Sequence, residues 1–176
     1  MNTRWVGYGV ATVAIVAALV LVGLSSGVLA PYLGGYDAGA DFNESRDYDH
    51  TEVTVSDGET GEELGRVNAA VADTFSKRYV GLSETDHLPE DRGMLFIHDG
   101  AAERTYVMRN MSFGIDIVFV APNGTITTIH EAPAPGPNED GEDQRYSGEG
   151  KYVLEVNKGW TADRGIEAGD RIDFEL

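Results

Sequence analysis

Cysteine is absent from all 176 residues, which excludes disulfides, thiolate metal sites and cysteine nucleophiles together. Any stability must come from packing. Lysine is nearly absent too, with only Lys77, Lys151 and Lys158 against ten arginines. Positive charge as a whole is scarce. All 30 acidic residues lie at or after Asp37, together with 12 of the 13 basic ones, so that part of the chain carries a net −18. Phosphate binding needs clustered positive charge, so nucleic acid is not an expected partner. So much like charge strains a compact fold in dilute buffer, and is screened at molar salt, where the Debye length is about 3 Å. Acid-rich, lysine-poor usage resembles that of halophilic archaeal proteins; an ordinary acidic surface is the plainer alternative.

Charge of either sign is missing from Val6 to Ala30. As a helix those 25 residues reach about 37 Å, enough to cross a hydrocarbon core of about 30 Å with tilt. Arg4 precedes the run and Asp37, Asp41 and Glu44 follow it. The positive-inside rule then puts residues 1–5 in the cytoplasm and the rest outside, on a single-pass helix over 6–30. Trp5 and Tyr32 stand at the two interfaces. A cleaved signal peptide is the rival reading, since Val28-Leu29-Ala30 imitates a cleavage site, but the run exceeds an ordinary signal core and Pro31 follows directly. Residues 31–50 read as a flexible linker, and 51–176 as one extracytoplasmic domain.

In that domain Thr51–Ser56 and Leu64–Val71 flank turn residues and predict a β-hairpin. Ala72–Leu82 predicts a short helix with Asp73 or Thr74 as N-cap and Gly81 as its stop. Strands are expected at Met94–Ile97 and Tyr106–Met108, with a turn at Asp99–Ala102 between them. Ile115–Val120 and Ile126–His130 enclose Pro122-Asn123-Gly124 and predict a second hairpin. Ala132–Gly150 loses all apolar periodicity and reads as a long loop. Lys151–Val156 returns to strand, Trp160–Arg164 to a turn of helix closed by Gly165, and Ile172–Phe174 to a last strand. The expected class is α+β: a small, mostly-β curled sheet or partly open barrel with one or two short helices, preceded by one transmembrane helix.

A series of short motifs then runs in a fixed order. It comprises Ala72-Asp73-Thr74, Arg78 with Gly81-Leu82, Gly93-Met94-Leu95-Phe96, Met108-x-Asn110 and Ile115-Asp116-Ile117-x-Phe119. Gly124-x-Ile126, Tyr146-Ser147, Val153-Leu154-Glu155 and Gly165-Ile166-x-x-Gly169-Asp170 follow. Over roughly Val67 to Phe174 the chain resembles the domain of unknown function 192 family. The resemblance implies a compact β-rich domain, often behind an export signal or anchor, with no established activity. Tyr106-Val107-Met108-Arg109-Asn110-Met111 departs from the family's aromatic-Trp-Met-Lys-Asn-Thr run, and Gly114 replaces its usual proline. A cysteine that some members carry before Tyr146 is missing as well. Any ligand or redox role that used the lost groups is therefore in doubt.

Asp116 interrupts the apolar stretch Ile115–Val120, and a carboxylate buried there must be paired or hydrogen-bonded. A structural partner such as Arg109, Arg92 or backbone N–H groups is the plain reading. The functional one gathers Asp116, Asn110, Met108, Arg92 and Glu155 around a ligand pocket. A hydrolase using Asp116 or Glu155 as base and His130 as proton shuttle is the enzymatic alternative. The domain beyond the apolar run holds no Gly-x-Ser-x-Gly elbow, His-Glu-x-x-His motif or phosphate-binding glycine loop. Met94, His98, Met108 and Met111 offer soft ligands for copper, but methionines among Leu, Phe and Val are ordinarily core filler. Asn138–Asp143 is acidic without calcium-loop spacing. No metal or cofactor is therefore expected. The residues lead to a non-catalytic binding or accessory module on the outer face of the plasma membrane, with a structural partner in an envelope complex as a third reading.

Overall fold

The computed structural model describes residues 48–176. The expected membrane helix, and the linker up to residue 47, lie outside them. Among the described residues no helix is long and apolar enough to cross a membrane.

Seven strands form one sheet: β1 (His50–Ser56), β2 (Glu63–Ala72), β3 (Arg92–Val107), β4 (Ile115–Val120), β5 (Ile126–Ala132), β6 (Arg145–Asn157) and β7 (Arg171–Phe174). Their order is β5-β4-β6-β3-β2-β1-β7. The pairs are antiparallel except β2 with β3, whose parallel crossover is made by helix α1 (Phe75–Val80). Curling brings the two outer edges together, where Ile126 N–H donates to Asp170 O at 2.8 Å and Ile172 N–H to Gly124 O at 2.7 Å. The described residues thus form a mostly-β curled half-barrel with one short α-helix.

Both expected hairpins form. Thr74 caps α1, its hydroxyl accepting from Lys77 N–H at 3.2 Å, and Gly81 ends it at φ 52°, where a side chain is disfavoured. The expected helical turn after Trp160 is a 3₁₀ turn, Ala162–Arg164.

Two expectations are corrected. Asp99–Ala102 is not a turn between strands: β3 runs through it, with a bulge between Ile97 and Ala102. The loop expected to Gly150 ends earlier, because β6 begins at Arg145. Thr105↔Ser147 and Tyr106↔Tyr146 pair there in an antiparallel ribbon. Half-exposed polar alternation along that ribbon conceals it from apolar patterning.

The sheet has apolar residues on both faces. The inner cluster draws on all seven strands and includes Val53, Val67, Leu95, Val118, Leu154 and Ile172, with Trp160 from the β6–β7 connection. The outer cluster, with Met94, Phe96, Ile117, Phe119, Val153 and Leu82, lies under α1 and the loops around it. Burying each such large side chain contributes about 1.5–3 kcal/mol relative to exposure.

Candidate functional site

Glu155 on β6 pairs across the sheet with Ile117 on β4 and Met94 on β3. Directly opposed residues project to the same side, so Glu155 joins the outer cluster rather than the barrel interior. It is 5% exposed, and among the described residues its carboxyl makes no hydrogen bond. That carboxyl opens onto a cavity of about 510 Å³ beside α1. Burial pushes its pKa up to about 8, because a dry site disfavours the charged form. At pH 7 it is chiefly a neutral acid, able to donate as well as accept.

The cavity walls combine apolar and aromatic side chains with polar and basic ones. Phe96 and Tyr106 meet edge to face with centroids 5.1 Å apart, and Leu82, Ile115 and Met111 add apolar lining. Tyr106 Oη and His98 Nε2 lie 3.0 Å apart. Burial first, then the charges of Arg104 and Arg78, lowers the His98 pKa to about 4, so the imidazole is neutral at pH 7. Burial, and then Glu155, raises the Tyr106 phenol.

Three arginines also line this cavity. Arg78 Nη1 donates to Ile97 O at 2.7 Å. Arg104 donates to Gly150 O at 3.2 Å and Gly100 O at 2.6 Å. Arg109 donates to Tyr79 O, and its guanidinium lies 4.2 Å from the Tyr79 ring centroid. Backbone carbonyls orient all three. Among the described residues none forms an ion pair with a carboxylate, whereas Arg66, Lys77 and Lys158 do.

The five residues expected around one pocket are not brought together. Asp116 pairs with Val156 and faces the barrel interior, the opposite side from Glu155. It is fully buried and accepts from Gly159 N–H (2.9 Å), Thr161 N–H (2.9 Å) and Thr161 Oγ1–H (2.7 Å). Its partners are therefore backbone and hydroxyl groups, not Arg109 or Arg92. By holding the chain on both sides of Trp160, Asp116 seats that indole in the inner core. Met108 is completely buried in the outer cluster. Asn110 is exposed in a turn at φ 55°. Arg92 donates to Asn68 Oδ1 at 2.6 Å and lines a second cavity, of about 760 Å³, with His50 and His87. Only Glu155 of the five reaches the first cavity.

The hydrolase geometry does not form either. His130 donates to Ser147 O at 2.8 Å. It pairs with Ile117, which separates it from Glu155 by two strand spacings, about 10 Å. Met94 and Met108 are buried among apolar neighbours, and among the described residues no cluster of three His, Asp or Glu side chains is arranged to hold a metal ion. Sequence reasoning passed over Tyr106, Phe96 and Arg104. The available signal was a polar pair, His98 and Tyr106, on strands otherwise rich in apolar residues.

Residues 56–174 match the DUF192 family, described as uncharacterised. No curated protein matches. A crystal structure from Sinorhizobium meliloti, of a protein provisionally assigned as a transcription regulator, is 28% identical with a TM-score of 0.65, covering 73% of this chain and 95% of that one. A protein of unknown function from Novosphingobium aromaticivorans is 29% identical with a TM-score of 0.57, covering 69% and 83%.

Proposed function

The chain belongs to the DUF192 family, which assigns it no activity, and from its own geometry we propose that it is a non-catalytic binding module whose site is the cavity floored by Glu155. One observation carries this reading. Glu155 is buried and its carboxyl makes no hydrogen bond among the described residues, an arrangement proteins avoid, and here it lines an open space of ligand size with apolar, aromatic and basic walls. The hydroxyl nearest a base in this cavity is Tyr106, which shares a 3.0 Å contact with His98, and in this reading that pair belongs to the wall of the binding site. The regulator assignment of the Sinorhizobium meliloti protein does not favour DNA as this chain's partner, since −18 of charge beyond residue 36 repels phosphate.

The module sits, in this reading, on the outer face of the plasma membrane, held by the uncharged run Val6–Ala30. Retention of the full chain in carbonate-washed membranes, with protease reaching its C-terminal domain from outside, is the expected result. Release into the wash would remove the anchor from the proposal.

Binding is tested by thermal unfolding of the full chain in detergent and molar salt, against sugars, peptides, lipid headgroups and aromatic acids. A compound present at 100 times its dissociation constant adds about 2.7 kcal/mol and raises the midpoint by several degrees. Met111→Trp, at the partly exposed cavity wall, should abolish the shift while leaving the free protein folded. A shift unchanged in that variant places the site elsewhere.

A further inference from the structure

We propose that the cavity beside α1 selects a small organic anion with an apolar body, and in particular an aromatic or branched carboxylate. The inference rests on the binding role just assigned to this cavity and names its ligand class. The apolar part of the wall, made by Phe96, Leu82, Ile115 and Met111 among others, suits an apolar body. The sign of the charge comes from the arginines. In a domain dominated by carboxylates, Arg78, Arg104 and Arg109 converge on one cavity, each held by backbone carbonyls. No carboxylate neutralises them among the described residues.

Their unused donors point to the ligand's anionic end. Nε and Nη2 of Arg78 have no partner among the described residues, and Arg109 donates only through Nη2. Two guanidiniums with free edges suit the planar, paired oxygens of a carboxylate. Arg109 lies over Tyr79, which is 56% exposed, so it belongs to the outer end of the cavity. Phe75, 67% exposed and stacked on Tyr79 at 6.3 Å, extends an aromatic lip there. At the floor Glu155 offers an O–H to an acceptor on the ligand. An ammonium ligand would instead need Glu155 ionised and would meet three guanidiniums against the single further carboxylate of Glu103.

Ligand charge is also coupled to Glu155. The charged and titratable groups that line the cavity with it are His98, Glu103, Arg104 and Tyr106 from β3, Arg78 and Tyr79 from α1 and Arg109 from the turn after β3; from β4, Ile115 lines the cavity and Ile117 pairs with Glu155. His98 titrates near pH 4, well below neutrality. A bound anion therefore favours the protonated acid, and its affinity falls as pH rises through about 8.

The test compares three probes of one shape on the full chain: 3-phenylpropionate, 3-phenylpropanol and 3-phenylpropylamine. Calorimetric titration should show the acid binding at least tenfold more tightly than the alcohol, with the amine weakest. Arg109→Gln should weaken the acid about tenfold and leave the alcohol unchanged. Glu155→Gln should keep acid binding and remove its decline above pH 8. Equal binding of acid and alcohol, or preference for the amine, overturns anion selectivity while leaving the cavity as a binding site. If none of the three binds, the ligand class is wrong, and the ligand panel with the Met111→Trp variant then decides separately whether the cavity binds anything.

Discussion

Asp116 and Glu155 stand on adjacent strands, one register step apart, and face opposite sides of the sheet. Asp116 opposes Val156, and Glu155 opposes Ile117. Period-two alternation makes that single step decisive. The inward carboxylate meets three donors from the β6–β7 connection, while the outward one meets none among the described residues. One holds the fold and the other is available to a ligand.

Asp116→Asn should accordingly destabilise the domain by about 2–4 kcal/mol, because an amide nitrogen would confront N–H groups that now point at a carboxylate oxygen. Its effect should fall on the urea midpoint. Ligand affinity in the folded protein should stay within twofold, and a specific loss of binding without loss of stability would contradict the anchoring role.

Glu155→Gln should do the opposite. The native acid keeps its proton to about pH 8 while the unfolded chain loses it near 4.5. Stability therefore falls as pH rises from 4.5 to 8, at up to roughly 1.4 kcal/mol per pH unit, and the full penalty stands above pH 8. Glutamine has no such penalty. The variant should match the parent near pH 4.5 and exceed it by several kcal/mol at pH 9, measured by urea unfolding across pH. Parallel profiles would mean that the Glu155 pKa is unchanged by folding, so that it is ionised at pH 7.

Much of the strand plan was legible because turn chemistry marked it. Asn123-Gly124 located the β4–β5 hairpin, and Thr74 with Gly81 bounded α1. What stayed illegible was the facing of the carboxylates. All six residues of β4 are buried, since the inner core lies on one side and the α1 layer on the other. A strand covered on both faces shows no apolar alternation, so nothing in Ile115–Val120 told which way Asp116 points. The cavity was hidden for a second reason. Asp99-Gly100 reads as a turn, yet forms a bulge that carries β3 onward to Tyr106 beside His98.

His98 gives a pH effect of the other sign. Its native pKa of about 4 lies below the ordinary 6.5, so the unfolded chain takes up the proton first as pH falls. The His98 contribution is intact above pH 6.5 and is lost from there to about pH 4. His98→Gln should lessen acid sensitivity in that window alone. Between 4.5 and 6.5 the slopes of His98 and Glu155 oppose each other, and from 6.5 to 8 Glu155 acts alone of the two. Proton NMR of the imidazole, with a midpoint near 4, checks the assignment; a midpoint near 6.5 would refute it.

Gly141 ties the β5–β6 connection to the strand end that carries Arg109 and Met111. Met108 N–H donates to Gly141 O at 2.9 Å, and a Cβ on Gly141 would lie 2.0 Å from Met108 O and 3.1 Å from Pro135 Cγ. The first neighbour is backbone and cannot rotate aside, so Gly141→Ala must push the loop away from β3. The expected loss is about 1–3 kcal/mol, the usual range for overpacking. Because Met108 is followed directly by Arg109, the same displacement should loosen the cavity's outer wall. Amide exchange at Met108 should accelerate more than exchange at Val153 in the sheet centre, and affinity for an anionic probe should fall with it. Uniform acceleration at both amides would show that the loop contributes to global stability alone and does not hold the cavity wall in place.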